Sequence, residues 1–457
     1  MTVPAWRFEF YALVPHPSEP RVLVLIEDDT YELPRIEVIA ASADDAFAQM
    51  LTRFARELGC SLTALRSIAR QVDEVARQTM EILVMEHHGT AAPLPASARW
   101  LSREDLARRL LARRELHVLI AHELREAEAG MAPPLRPPWA RRGWYAQAVA
   151  WIEAQLAHLD TPLEAPIAQV RTWSLSCVLR APTRAGDRYF KVAARLPLFT
   201  DEPRVMAGLA ALFPDAVPAP LAWDPERRWM LLADLGRSLR AQSTVATREA
   251  MLRRFGRLQL AAASHVDHLL TIGCLDRRLA CLAGQIDPLL TDTALLGDLT
   301  DAEVARLRAL APRLKAMCRE LADYHVPATL VHGDLNLGNV ALHDEQYVFF
   351  DWTDACVSHP FFDLLTVIWE DDPEVQARLL ASYLQLWTVY EPMERLREAW
   401  MLAEPLCSLH QAVSYQAILR HTEATAWHEH AGMLAGAVRR VLQACAQQER
   451  GLPVGSG

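Results

Sequence analysis

Residues 331–340 read Val331-His332-Gly333-Asp334-Leu335-Asn336-Leu337-Gly338-Asn339-Val340, and the chain soon returns with Phe350-Asp351-Trp352. The spacing of Asp334 and Asn339 suits a loop in which a carboxylate takes the proton of a hydroxyl while an amide oxygen holds Mg²⁺. An apolar run, Tyr347-Val348-Phe349-Phe350, follows and delivers a second carboxylate, Asp351. Between them His343-Asp344-Glu345 reads as a polar turn, so a β-hairpin is predicted to carry Asp351 back toward the loop. Mg²⁺ takes oxygen ligands and keeps few protein ones, so Asn339 and Asp351 form a sufficient pair. One Asp alone reads better as a capped turn. The full set, extended by Ser358-His359-Pro360-Phe361-Phe362-Asp363, does not.

On these residues the chain resembles the aminoglycoside phosphotransferase and choline-kinase-like group of small-molecule kinases. The resemblance runs over about residues 140–445 and is densest from His332 to Asp363. It implies a two-lobed protein-kinase-like fold, with a small β-rich N-lobe and a large helical C-lobe. It further implies ATP or GTP as co-substrate with Mg²⁺, held between the lobes, and a small hydroxyl compound as acceptor. In that scheme Asp334 is the catalytic base, and His332, His359 and Asp363 support the loop. Nothing after Trp352 resembles the long activation segment of a protein kinase, so the expected acceptor is a small molecule such as an aminoglycoside, a sugar or an amino alcohol.

Composition supplies a second signal. The chain has 47 Lys plus Arg, yet only Lys191 and Lys315 are lysines. A lysine that persists where arginine fills nearly every cationic position marks a site arginine does not suit. Lys191 lies in the strand-like run Arg188-Tyr189-Phe190-Lys191-Val192-Ala193. A compact ammonium on a strand is what reaches the α- and β-phosphates of a nucleotide in kinases. Lys315 sits in a charged helical segment and reads as a solvated face. By the same resemblance the acidic partner of Lys191 is Glu202, with Asp201 as competitor, since acids in a first helical turn also simply favour the dipole.

The phosphate-covering loop departs from the family pattern. The stretch 169–179, Gln169 to Leu179, contains no glycine, leaving Ser174 and Ser176 as candidate phosphate contacts. After Trp229-Met230-Leu231-Leu232 comes Ala233-Asp234-Leu235-Gly236, which resembles the interlobe hinge; the backbone of Ala233 and Leu235 would then pair with the adenine edge.

At 457 residues the chain is long enough for two or three domains. The predicted class is α/β (α+β). The predicted segments are 1–130 as an accessory domain, 131–138 as a proline-rich linker, 139–236 as N-lobe with a leading helix, and 237–450 as helical C-lobe. Phe8–Leu13, Arg21–Glu27 and Met80–Val84 read as strands. Ala43–Leu58 reads as a helix stopped by Gly59, and Arg103–Arg113 as another, capped by Ser102. Trp139–Leu159 reads as an amphipathic helix whose tryptophans pack. Breaks are expected at Gly273, Gly284 and Gly297, and helices over 375–390, 393–410 and 411–445, followed by a frayed tail at 451–457.

The order of elements in residues 1–130 resembles a Nudix domain, but the chemistry is missing. Where a Nudix helix presents several glutamates to Mg²⁺, this chain has Thr52-Arg53-Phe54-Ala55-Arg56-Glu57, and only Glu57 is acidic. Arginine repels a cation, so a degenerate, inactive accessory domain is expected.

Net charge is −10 and no basic block or aromatic-studded basic stripe occurs, which argues against nucleic-acid binding. The eight cysteines are scattered without a CxxC pair, as in a reduced cytoplasmic protein. No secretory leader or membrane span is expected. Glu370, Asp371, Asp372 and Glu374 form an acidic cluster that fits either an acceptor's amines or a helix dipole. Trp369, Trp387, Trp400 and Trp427 fit an aromatic wall or a core. Two competing functions remain: a pseudokinase-like nucleotide-binding or regulatory protein, and a Nudix-type hydrolase. Oligomeric state is not legible.

Overall fold

The computed structural model describes residues 5–27, 30–88, 94–108, 113, 115–343 and 346–450. The expected turn residues Asp344 and Glu345, the end of the helix expected to reach Arg113, and the tail 451–457 lie outside this set. The chain forms two compact units, Met1–Ala194 with Thr422–Glu429, and Arg195–His421 with His430–Gly457.

The first unit is built on two sheets. In the larger, Trp6–Leu13 runs parallel to Gln78–His88 and antiparallel to Arg35–Ala40, and Ser61–Asp73 closes the far side. In the smaller, Arg21–Glu27 is flanked by Thr30–Glu32 and Ala98–Ser102. Successive side chains of a strand point to opposite faces, and here both faces are buried. Phe8, Phe10 and Ala12 enter one core; Tyr11 and Leu13 enter another. The helix Ala43–Leu58 covers the first core with Ala46, Met50, Phe54 and Leu58, four apart on one stripe. Its ends are those the sequence predicts. Ser42 caps the Asp45 amide, and Gly59 adopts the left-handed conformation at φ 65°.

Three further antiparallel strands follow, Ala168–Thr172, Ser176–Ala181 and Arg188–Ala193, with Lys191 opposite Val178. Buried Gln169 ties them to Ser61–Asp73: its amide accepts from Ala64 N and donates to Ala64 O, both at 2.8 Å. The helix expected over 139–159 is broken. Gly143 at φ 77° separates a short turn, Pro138–Ala140, from the helix Trp144–His158. Trp144 and Trp151 pack on Phe190 with ring centroids 5.9 and 5.7 Å apart; Trp144 and Trp139 are buried, Trp151 half-buried.

The proline-rich stretch carries a buried arginine, Arg136, bridging Glu126 at 2.7 Å and Glu423 at 3.0 Å. Nearby Arg66 pairs with Glu123, both largely buried. His122, Glu123 and Glu126 are the only described trio close enough for a metal ion. Arg66 and Arg136 already neutralise the two carboxylates.

The second unit is mostly helical around one core, with Val245–Ala262, Asp301–Ala322, Pro373–Leu384, Met393–Arg420 and Met433–Glu449 as main helices. The expected break at 410/411 is absent: Met393–Arg420 is continuous, since neither Gly nor Pro stands there, and the next helix starts only after Gly432 at φ 73°. Gly284 likewise lies inside the helix Leu279–Thr291 rather than ending it. Trp387 and Trp400 are fully buried, while Trp369 is 60% exposed. No helix among the described residues is long and apolar enough to cross a membrane.

Two stability predictions follow from paired charges. Replacing Arg66 by Ala leaves Glu123 buried without its counter-ion and should cost about 3–5 kcal/mol in urea unfolding, whereas the double change Arg66→Met with Glu123→Leu should recover most of it. Glu303 accepts from the backbone N–H of Thr300, its helix cap, and pairs with Arg439, whose hydrogen bond is the main cause of a carboxyl pKa lowered from 4.5 to about 2. A lowered folded pKa stabilises above the unfolded value and is lost as pH falls through the folded one. The Glu303→Gln variant should therefore be less stable than wild type at pH 7, the gap closing between pH 4.5 and about 2 in denaturant midpoints.

Candidate active site

The candidate site grows from a strand pair. Thr329–Val331 is fully buried and runs antiparallel to Cys356–Ser358. At its end the backbone turns sharply. Gly333 sits at φ +83°, and a Cβ there would lie 2.5 Å from the carbonyl oxygen of Asp354, so only glycine fits.

One buried carboxylate holds this turn. Asp363 accepts from the His332 amide at 2.8 Å and the Gly333 amide at 2.9 Å. Gln259, fully buried on the helix Val245–Ala262, donates to Asp363 at 3.2 Å and to the carbonyl of Leu330 at 3.0 Å. Tyr383 in turn donates to Gln259 and to the Pro360 carbonyl. Burial raises the Asp363 carboxyl from 3.8 to about 7, against the pull of the two amides. His359, also buried, is lowered to about 3 and accepts from the amide of Phe361.

Beyond the turn, Asp334 becomes the hub of the loop. Asn339 Nδ2 donates to its backbone oxygen and to its Oδ2, both at 2.9 Å. Asn336 Nδ2 approaches the same two atoms at 3.1 and 3.3 Å. Asn336 Oδ1 caps the short helical turn Leu337–Asn339 through Gly338 N at 2.8 Å and accepts from Arg240 at 3.0 Å.

The predicted hairpin forms, Val340–His343 against Gln346–Phe349. It returns the chain so that Phe350 N donates to Asn339 O at 3.1 Å, which sets Asp351 beside Asn339. Asp351 has left-handed backbone angles, φ 67° and ψ 61°, a conformation costly for any residue but glycine and kept only where surroundings enforce it. Here they do. His332 Nε2 donates to Phe350 O at 2.9 Å, Trp352 Nε1 to Phe349 O at 2.9 Å, and Thr353 Oγ1 to Asp351 Oδ1 at 3.0 Å. The His332 and Trp352 rings pack 4.5 Å apart. An amide oxygen and a carboxylate so arranged are hard oxygen donors of the kind Mg²⁺ takes.

The other predicted residues sit as follows. Lys191 is mid-strand in the first unit. There Ser174 N donates to Glu429 at 2.8 Å and Ser176 Oγ accepts from Trp173 at 2.7 Å. Glu429 is itself raised to about 7 by burial. In the second unit Glu202 is buried and opens its helix, while Asp201 faces Arg228 at 3.7 Å. Ala233 ends its strand, and the turn through Leu235 is closed by Asp234, which accepts from Gly236 N at 2.9 Å. The acidic cluster at 370–374 is structural in part: Glu370 pairs with Arg248, and Asp372 caps Pro373–Leu384. Sequence reasoning missed Gln259, Tyr383 and Thr353. Gln259 had a signal, a polar residue on the apolar stripe of Met251, Phe255 and Ala262.

Residues 178–399 match the family model described as APH, phosphotransferase enzyme family. None of the curated proteins matches the chain. Among solved structures, choline kinase LicA from Streptococcus pneumoniae is 10% identical, covering 66% of this chain and 99% of its own, at a TM-score of 0.47. Macrolide 2'-phosphotransferase MphH from Brachybacterium faecium is 18% identical over 62% of this chain and 97% of its own, at 0.43. The GDP complex of aminoglycoside 2'-phosphotransferase-IIIa is 11% identical over 67% and 100%, at 0.47. At such scores these likenesses decide nothing about this chain.

The clamp on the turn is testable. An asparagine at 363 has one acceptor oxygen for two amides, so Asp363→Asn should cost about 1–3 kcal/mol through an unmet N–H. Urea unfolding measures that cost, and the loss of turnover should exceed what the lost stability explains.

Proposed function

We propose that the protein is a small-molecule kinase that moves the γ-phosphoryl group of ATP or GTP to a hydroxyl of a small acceptor. The observation that carries this reading is the clamped trio Asp334, Asn339 and Asp351. Asp334 orients the acceptor hydroxyl and takes its proton. Asn339 and Asp351 would hold Mg²⁺, which when bound supplies charge neutralisation for the phosphate oxygens. Lys191 and Glu202 are assigned as the nucleotide lysine and its acid, and the backbone of Ala233 and Leu235 as the adenine contact. With a loose transition state, positioning and preorganised charge supply most of the rate, and the strained, fully braced Asp351 fits that demand.

Ser174 supports a phosphate role less well. Its amide already meets a carboxylate, and Ser176 accepts from Trp173. This favours, as a second reading, a nucleotide-binding regulatory protein. For residues 1–130 we propose a Nudix-like accessory fold without hydrolase chemistry: Glu57 pairs with Arg53 at 3.7 Å instead of standing free for a cation.

The melting temperature with ATP or GTP, with and without Mg²⁺, tests the assignment. Wild type should show a Mg-dependent rise that Asp351→Ala loses. Asp334→Ala should keep the rise yet lose about 10²–10⁴-fold in turnover with a working acceptor. Normal turnover in Asp334→Ala would sink the mechanism.

A further inference from the structure

On the second unit the helices Met393–Arg420 and Met433–Glu449, with residues from 365 to 376, enclose a cleft of about 110 Å³. Its lining holds one carboxylate, Glu404, and one guanidinium, Arg440; its other polar groups, Ser408 and three glutamines, are neutral. Glu404 Oε2 is buried and meets no hydrogen-bond partner among the described residues. Burial raises this carboxyl from 4.5 to about 7. A buried carboxylate oxygen left unmet is costly unless a donor completes it. Arg440 donates to Gln411 at 3.0 Å and pairs with no carboxylate among the described residues. Exposed Trp369 stands at the rim and offers the kind of aromatic face that ammonium groups favour.

The cleft is close to the catalytic loop. Leu365 lines it, and the neighbouring Thr366 Oγ1 donates to the carbonyl of Leu335, next to Asp334. Tyr415 reports the same proximity: burial raises its hydroxyl, Asp334 adds to the rise and Arg440 opposes it, so both charges lie within its electrostatic reach.

We propose that this cleft recognises the phosphoryl acceptor, and that the acceptor is a small zwitterionic alcohol, an amino acid bearing a hydroxyl. This rests on the kinase reading of the adjacent loop. The ammonium goes to Glu404 beneath Trp369, and the carboxylate goes to Arg440. One positive and one negative wall group match a ligand carrying one of each. The volume is well below the roughly 300 Å³ at which pockets for drug-sized ligands begin. The acceptor's oxygen then forms the new O–P bond, its proton passes to Asp334, the bond from the γ-phosphorus to the bridging oxygen breaks, and the nucleoside diphosphate leaves.

Calorimetry on the full chain at pH 7 decides it, with L-serine and L-homoserine as zwitterionic probes. The comparison ligands are 3-aminopropan-1-ol, which keeps only the ammonium, and 4-hydroxybutanoate, which keeps only the carboxylate. At least one amino acid should bind about tenfold or more tightly than either single-charge analogue. Glu404→Gln and Arg440→Gln should each weaken that binding about tenfold while the Mg-nucleotide thermal shift persists. Glu404→Gln is nearly isosteric and Arg440 is exposed, so both variants should fold. Equal binding of the single-charge analogues, no binding of either amino acid, or no effect of Glu404→Gln would overturn the proposal. Amino-acid binding without transfer to any hydroxyl compound would overturn the kinase reading and leave the zwitterion site standing. Transfer to a neutral sugar with no amino-acid binding would do the reverse.

Discussion

Asp363 is the constraint on which the loop that carries Asp334 depends. Its two oxygens take the consecutive amides of His332 and Gly333, which turns the backbone at the exit of a buried strand. Without that anchor nothing fixes where Asp334 emerges. Placing a carboxylate in a dry core is expensive, and the structure offsets the cost with Gln259 and, behind it, Tyr383. A half-satisfied polar network of this kind would be worse than an apolar core. Here three elements far apart in sequence converge to complete it.

A second set of constraints governs Asp351. The hairpin supplies the direction, but side chains supply the angle. His332, Trp352 and Thr353 brace a backbone that a non-glycine residue otherwise avoids. His332 thereby serves both ends of the site. Its amide is held by Asp363 and its ring holds the segment that carries Asp351. The loop and the second carboxylate are coupled mechanically through one buried imidazole.

Much of this was legible because it is local. The ten residues from Val331 to Val340 and the hairpin behind them encode the loop in their spacing alone. The helix Ala43–Leu58 was legible for the same reason, since Gly59 ends an apolar stripe of helical spacing; the Ser42 cap emerged only in the structure. What escaped was long-range. Gln259 meets Asp363 across 104 positions, and periodicity gives no hint of which buried polar groups will find each other. Nothing in the residues around Glu404 marks it out; only the packing of two helices shows its oxygen buried and unmet. The continuous Met393–Arg420 was misjudged because apolar spacing alone does not place a helix end where no residue stops it. Of the acidic run at 370–374, which fitted either an acceptor's amines or a helix start, Glu370 forms an ion pair and Asp372 a cap.

Residues 422–429 belong to the first unit although the chain on either side of them belongs to the second. Arg136 meets Glu423, Ser67 meets His428 at 2.9 Å, and the Ser174 amide meets Glu429. The two units are thus interleaved along the polypeptide. A cut at the proline-rich stretch, the obvious place from sequence, yields two fragments, neither holding every residue of the first unit. During synthesis on the ribosome the first unit lacks residues 422–429 until the intervening residues 195–421 have been made. Shuffling of the first unit among proteins by simple fusion at Ala194 would leave that segment behind.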